Sequence, residues 1–157
     1  MGNADHEKLR AELRKIVSGS SDRIVALRAA AEAIRLSGNY RWVGLYEVDS
    51  RADMVRNLAW SGPGAPEYPT FPITKGLTGA AIVSGKAVNV GDVRADVRYL
   101  RAFSSTRSEI IIPVFDEVGK SVVGTIDVES ERRNAFDEDV ESLLLACAAE
   151  LRPLWSP

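Results

Sequence analysis

Carboxylates are the side chains whose placement most suggests chemistry in this sequence, and two of them share one face of a short apolar stretch. From Val122 to Glu129 the two-residue repeat of a strand sends Val122, Gly124, Ile126 and Val128 one way and Val123, Thr125, Asp127 and Glu129 the other. One face reads as core and the opposite face is partly acidic. Carboxylates of this kind, set beside aromatic rings, suit an ammonium group through charge-assisted hydrogen bonds and cation–π attraction. Arg94, Arg98, Arg101 and Arg107 lie in an irregular stretch that either holds a carboxylate or simply solvates a long loop. The Gly76-Leu77-Thr78-Gly79 turn either offers backbone donors to an anion at a helix N-terminus or is a plain glycine-rich helix start with Thr78 as a minor cap.

Other chemistries are removed by what the chain lacks. Cys147 is the only cysteine and His6 the only histidine, in a polar tail. An intrachain disulfide, a cysteine zinc cluster, a Ser-His-Asp triad, a Cys-His dyad and histidine-ligated haem are therefore excluded. No metal site and no cofactor is expected. Cys147 itself falls in an apolar helical stripe, where a free cysteine behaves as a small hydrophobe. The net charge of −2 gives no broad basic field for phosphate backbones, so nucleic acid is not an expected partner. Residues 1–12 are polar where a signal peptide needs an apolar core, and no apolar run approaches the ~20 residues of a membrane span. The expectation is a cytoplasmic protein without a membrane partner.

The elements that must position these groups are legible from period and punctuation. Leu9, Leu13, Ile16 and Val17 recur at helical spacing, the Gly19-Ser20-Ser21 break follows, and Ile24, Leu27, Ala31 and Ile34 make a second helix that ends at Gly38-Asn39. Strands are expected over 42–48 and 54–60, with the 61–66 segment a loop because its prolines and glycines sustain neither helix nor ladder. A short helix over 76–84, a strand over 86–90 and an irregular covering segment over 92–107 come next. The chain then forms a hairpin of 110–112 with 121–128 about the Asp116-Glu117-Val118-Gly119 turn. Asp137 is a plausible N-cap for a closing helix striped by Val140, Leu143, Leu144, Cys147 and Leu151. Helices from both ends thus share one side of a central antiparallel sheet.

With Ser108-Glu109-Ile110, Asp127-Val128-Glu129-Ser130 and Phe136-Asp137-Glu138-Asp139 in place, the sequence resembles GAF domains over about residues 21–151. Within that superfamily it is similar to free methionine-(R)-sulfoxide reductases, which share the Trp42-Val43-Gly44-Leu45-Tyr46 strand, the Gly76-Leu77-Thr78-Gly79 helix start and the Gly91-Asp92-Val93 turn. The resemblance implies an α/β (α+β) fold: an antiparallel sheet of about six strands, terminal helices on one face and a ligand pocket on the other. It divides the chain into an N-terminal helical extension, 1–20, and a single GAF domain, 21–157. It also implies that the reductase thiols are gone, with Ala102 in the place of the attacking cysteine and Thr78 and Tyr68 in the places of the other two.

By the same resemblance Glu109, Asp127 and Glu129 match carboxylates that line the reductase pocket, Trp42 and Tyr46 match its aromatic wall, and Thr78 and Ala102 complete the expected ligand-binding set. A plainer reading stays open: Asp127 and Glu129 point to water at a strand end, Glu109 pairs with Arg107 or Arg41, and the two aromatics are simply core. Covalent bilin and haem lack their pocket cysteine and histidine, and Lys120, Phe136 and Asp139 echo only part of a cyclic-nucleotide signature. The expected activity is that of a non-catalytic small-molecule sensor for an amino-acid-like or ammonium-bearing ligand. The alternatives are an atypical reductase using Cys147 with an external thiol, or a ligand-free dimerisation module. A homodimer through the terminal helices is expected, with Leu145, Leu154 and Trp155 as surplus apolar surface, unless the tail folds back on its own sheet.

Overall fold

The computed structural model describes residues 2–100 and 103–155. Two helices, α1 (Asn3–Gly19) and α2 (Arg23–Gly38), lead into strands β1 (Trp42–Asp49), β2 (Met54–Ser61) and β3 (Thr70–Pro72). Helix α3 (Gly76–Ser84), strand β4 (Val88–Val90) and a 3-10 turn at Val93–Ala95 follow. Strands β5 (Ser108–Phe115) and β6 (Val122–Ser130), helix α4 (Glu138–Leu151) and a last 3-10 turn, Arg152–Trp155, complete the chain. Local chemistry explains the helix ends. Asp22 accepts from the N–H groups of Ile24 and Val25 to start α2, Asn39 closes it in the left-handed conformation, and Asp137 accepts from Val140 N–H to start α4.

The six strands form one antiparallel sheet in the order β3-β2-β1-β6-β5-β4, so the first hairpin and the last meet at the centre. Alternation along the central strands divides their side chains cleanly. Val43, Leu45, Ile110, Ile112, Ile126 and Val128 face the helices, where Leu13, Leu27, Ile34, Leu144 and Leu151 cover them. Helix α1 is part of this layer, since Leu9 and Leu13 are buried in the same cluster. On the other face lie Trp42 and Tyr46 of β1, Ile111 of β5, helix α3 and the segment from 91 to 107.

The strand expected over 86–90 shortens to Val88–Val90, and β3, a three-residue edge strand, is an addition to the sequence expectation. β5 is longer than its apolar core of Ile110–Ile112 and runs through Pro113. That proline is tolerated because β4 pairs only with Glu109–Ile111, leaving an open edge beside it.

The last turn folds back instead of offering apolar surface. Leu154 and Trp155 are buried, and the Trp155 indole N–H crosses beneath the sheet to donate to the Tyr46 carbonyl at 2.9 Å. Arg23 Nε–H donates to the Leu154 carbonyl and secures the same turn. Gly124 is what lets the indole approach, because a Cβ there would run into Trp155 Nε1. Gly124→Ala should therefore destabilise the fold by about 1–3 kcal/mol, the usual cost of overpacking, in urea unfolding. An unchanged midpoint would show that the tail packs loosely.

Candidate functional site

Cross-strand register brings the acidic residues together. Glu109 of β5 is the partner of Glu129 on β6, and Asp127 lies two residues before Glu129 on the same face. One carboxylate oxygen from each residue lies within 4.8 Å of one from each of the others. The cluster is covered: relative exposure is 6% for Glu109, 7% for Asp127 and 0% for Glu129. The reading in which Asp127 and Glu129 point to water is thereby corrected, since the covering segment over 92–107, here called the lid, sends Tyr99 and Thr106 onto Glu129 and the start of α3 lies beside the cluster.

The expected partner cations are elsewhere. Arg41 Nε stands 3.4 Å from Glu131 Oε1, an ion pair without hydrogen-bond geometry, and its guanidinium lies 5.9 Å from the Phe103 ring centroid. Among the described residues no ion pair reaches Glu109, Asp127 or Glu129. Glu129 Oε1 accepts from the Thr106 hydroxyl at 2.8 Å and from the Tyr99 hydroxyl at 3.5 Å. Glu129 Oε2, Asp127 Oδ1 and the hydroxyl of Thr125, on the same strand face, are buried without a protein partner.

Burial, followed by the charges of Asp127 and Glu129, pushes the Glu109 carboxyl well above the usual carboxylate range. Burial and then the Glu129 charge raise Asp127. Glu129 is pushed by burial up to about 7, held back by hydrogen bonds from Thr106, Glu109 and Tyr99 and by the charge of Arg41. Burial also raises the Tyr46 phenol, with the three acids adding to the effect, so the ring beside the cluster stays neutral.

A cleft opens from these carboxylates toward solvent, lined by Tyr46, Phe71, Leu100, Tyr68 and the start of α3. The cavity itself is only about 30 Å³, the remaining space at its mouth being narrow or open to solvent. Tyr68 is 42% exposed at the mouth, and Thr78 is buried in the wall. Thr78 does not cap α3. Lys75 holds the N-cap position without a side-chain bond to the helix backbone, and Gly76 takes a positive φ of 68° to start it.

Trp42 sits behind Tyr46, with ring centroids 6.4 Å apart, and its indole N–H donates to the Gly64 carbonyl at 3.0 Å. Gly44 makes that pairing possible, since a Cβ there would strike the Trp42 ring. Phe103 packs on Trp42 at 5.5 Å. Ala102 and Arg101 lie outside the described residues. Among the described residues of the 92–107 segment, Arg98 folds back on Asp96 at 2.7 Å and Arg94 is exposed, whereas Lys75 lines the cleft. Sequence reasoning missed Lys75, Phe71, Tyr99 and Thr106. The one available signal was for Lys75, which immediately precedes the glycine-rich helix start.

The family model for the GAF domain matches residues 22–152. This chain belongs to the GAF domain family. GAF domain-containing protein A of Dictyostelium discoideum is 28% identical to it over 139 residues, 88% of this chain and 85% of that protein. Among solved structures, the free methionine-R-sulfoxide reductase of Neisseria meningitidis in complex with its substrate matches with a TM-score of 0.88 at 27% identity, over 99% of this chain and 92% of that one. The type II free methionine-R-sulfoxide reductase of Thermoplasma acidophilum matches with a TM-score of 0.78 at 27% identity, over 94% of each chain. The architecture read above is thus that of a GAF domain, an α+β fold typical of small-molecule sensing. No helix among the described residues is long and apolar enough to cross a membrane.

Cys147 of this GAF domain lies on the helix side of the sheet, fully buried in the main core, and burial pushes its thiol up to about 12. The sulfur is far from thiolate chemistry at neutral pH. Native protein should accordingly resist iodoacetamide, with alkylation of Cys147 appearing only as denaturant unfolds the domain; rapid labelling without denaturant would contradict its burial.

The acidic cluster carries a pH signature with a definite sign. A carboxyl whose folded value lies above its unfolded one costs no stability while both states are protonated. It subtracts stability as pH rises from the unfolded value toward the folded one. For Glu129 that window runs from 4.5 to about 7. Glu129→Gln should gain about 2 kcal/mol over the natural protein at pH ~8 relative to pH ~5. Parallel stability curves for the two proteins would refute the raised acid.

Proposed function

We propose that this GAF domain is a non-catalytic small-molecule sensor whose cleft takes the ammonium end of an amino-acid-like ligand. The observation that carries the reading is the trio of buried carboxylates with unpartnered oxygens and no protein cation paired to them among the described residues. Buried like charges left in this state are costly, and an ammonium group supplies both the charge and the N–H donors that the free oxygens lack. Tyr46 and Phe71 form an edge-to-face aromatic pair beside them, 5.7 Å between centroids, and add a surface that attracts cations. Across the cleft, Lys75 and the uncapped first turn of α3 offer positive charge and backbone donors to a carboxylate. A zwitterion has one charged group for each of these two ends once the cleft, about 30 Å³ in this structure, widens to admit it, and the likeness to a reductase solved with its substrate makes free methionine sulfoxide the first compound to try.

Thiol redox chemistry is not part of the proposal. Thr78 and Tyr68 stand in the cleft where the resemblance puts two of the reductase thiols, and neither side chain is a redox group. The rival reading, a reductase that works through Cys147, requires a sulfur that lies across the sheet from the cleft. Thermal unfolding in the presence of methionine, both methionine sulfoxide epimers, other amino acids and simple alkylammonium salts tests the assignment. A specific ligand at 100 times its dissociation constant should raise the midpoint by roughly 5–10 °C. Asp127→Asn should abolish that rise. No rise with any ammonium compound would reject the reading, and turnover of the sulfoxide that is lost in Cys147→Ser would favour the reductase.

A further inference from the structure

Three carboxyl groups in this cleft cannot move apart. Glu109 and Glu129 are locked opposite one another by the β5–β6 ladder, Asp127 is fixed one alternation away, and all three are more than nine-tenths buried. Full ionisation would place three negative charges within 4.8 Å of one another, with low-dielectric surroundings and no paired cation among the described residues. The geometry suits sharing, since one oxygen of each carboxyl lies within 4.8 Å of the others while Asp127 Oδ1 and Glu129 Oε2 are buried without a protein partner, and a proton held among them relieves the repulsion. We propose that in the ligand-free domain these three carboxyls hold a proton in common and that a cationic ligand enters by displacing it, so that occupancy rises with pH across the neutral range.

This rests on the ammonium reading and adds its regulation. An ammonium brought against the free oxygens of Asp127 and Glu129 favours the ionised form of every acid in the cluster, and the shared proton leaves to solvent. The exchange forms and breaks no bond in the ligand, which keeps its own N–H protons as donors. Because one positive charge replaces another, the net charge of the buried site is the same before and after.

The groups that face the cluster hold it in a range where this works. Tyr46 from β1 contributes a neutral phenol, Tyr99 and Thr106 donate hydroxyls to Glu129, and Tyr68 lies at the mouth. Arg41 acts on Glu129 through its charge without pairing with it, and Lys75 lines the far wall. Glu129, pushed up to about 7, titrates where a cell's pH varies. Sharing among the three makes that titration a property of the cluster.

Two measurements on the intact domain test the exchange. Carbon-13 NMR of the side-chain carboxyls, followed from about pH 5 to about pH 9, should show a coupled titration near neutrality that disappears in Glu109→Gln and Asp127→Asn. Calorimetry with methionine, methionine sulfoxide and ethylammonium, repeated in buffers of different ionisation enthalpy, should show up to one proton released per ligand. The affinity should rise by as much as about tenfold per pH unit below neutrality. Carboxyls already fully ionised at about pH 6, or binding that releases no proton and is flat with pH, would overturn the exchange and leave the ammonium site standing. A neutral-range titration with no binding of any probe would overturn the ammonium site and the exchange together.

Discussion

Everything on the cleft side of this domain is organised around like charges held together by backbone hydrogen bonds. The register of β6 against β5 and β1 puts Glu129 opposite Glu109 and Asp127 opposite Gly44, the one neighbour with no side chain to cover it. The ladder is far stronger, taken as a whole, than the repulsion it must contain, because the same strands bury Val43, Leu45, Ile110, Ile112, Ile126 and Val128 under three helices. The sheet therefore tolerates on one face what only the packing on its other face makes possible. That division of labour, stability below and strain above, is how a small fold keeps reactive or binding groups in an unfavourable arrangement.

The cleft wall is built from aromatic side chains that lock one another. Trp42 is wedged between Tyr46 and Phe103 and tied to the Gly64 carbonyl, while Tyr46 leans on Phe71. Tyr46 thereby presents its ring to the cleft with little freedom to rotate away. A rigid wall lowers the ordering cost of binding, which matters when the ligand is small and offers few contacts. The covering segment is different in kind: among its described residues, 91–100 and 103–107, the regular structure is one short 3-10 turn, and its bonds to the sheet include Arg107 N–H to the Ser130 carbonyl and Thr106 to Glu129.

The fold was legible where period and punctuation act locally. Strand alternation from Gly124 to Glu129 divided core from cleft correctly, whereas Val123, expected on the acidic face, packs against the main core where the β5–β6 register shifts; Asn39 and Asp137 marked helix ends by capping chemistry that needs no tertiary context. Strand β3 was not legible, because Thr70-Phe71-Pro72 contains a proline and is too short to show a repeat; it exists because β2 offers it an edge. The site was legible to the extent that the residues share a strand face. That Glu109, Asp127 and Glu129 form a buried trio depends on which strands are neighbours and on what closes over them, and neither is encoded nearby. For the same reason Lys75, Tyr99 and Thr106 came from outside any motif, whereas Arg98, which looked suited to hold a ligand, turned toward its own loop.

The bond from the Trp155 indole to the Tyr46 carbonyl joins residues 109 positions apart in the chain. Tyr46 belongs to the first strand made and supplies the cleft wall, yet its backbone is completed only when the last turn arrives. The same is true of the acids, which belong to the final hairpin. A ribosome that has released the first half of this chain has therefore produced aromatic residues with nothing to face, and the recognition site comes into being late and all at once. On the proposed reading, an incomplete chain does not compete with finished domains for ligand.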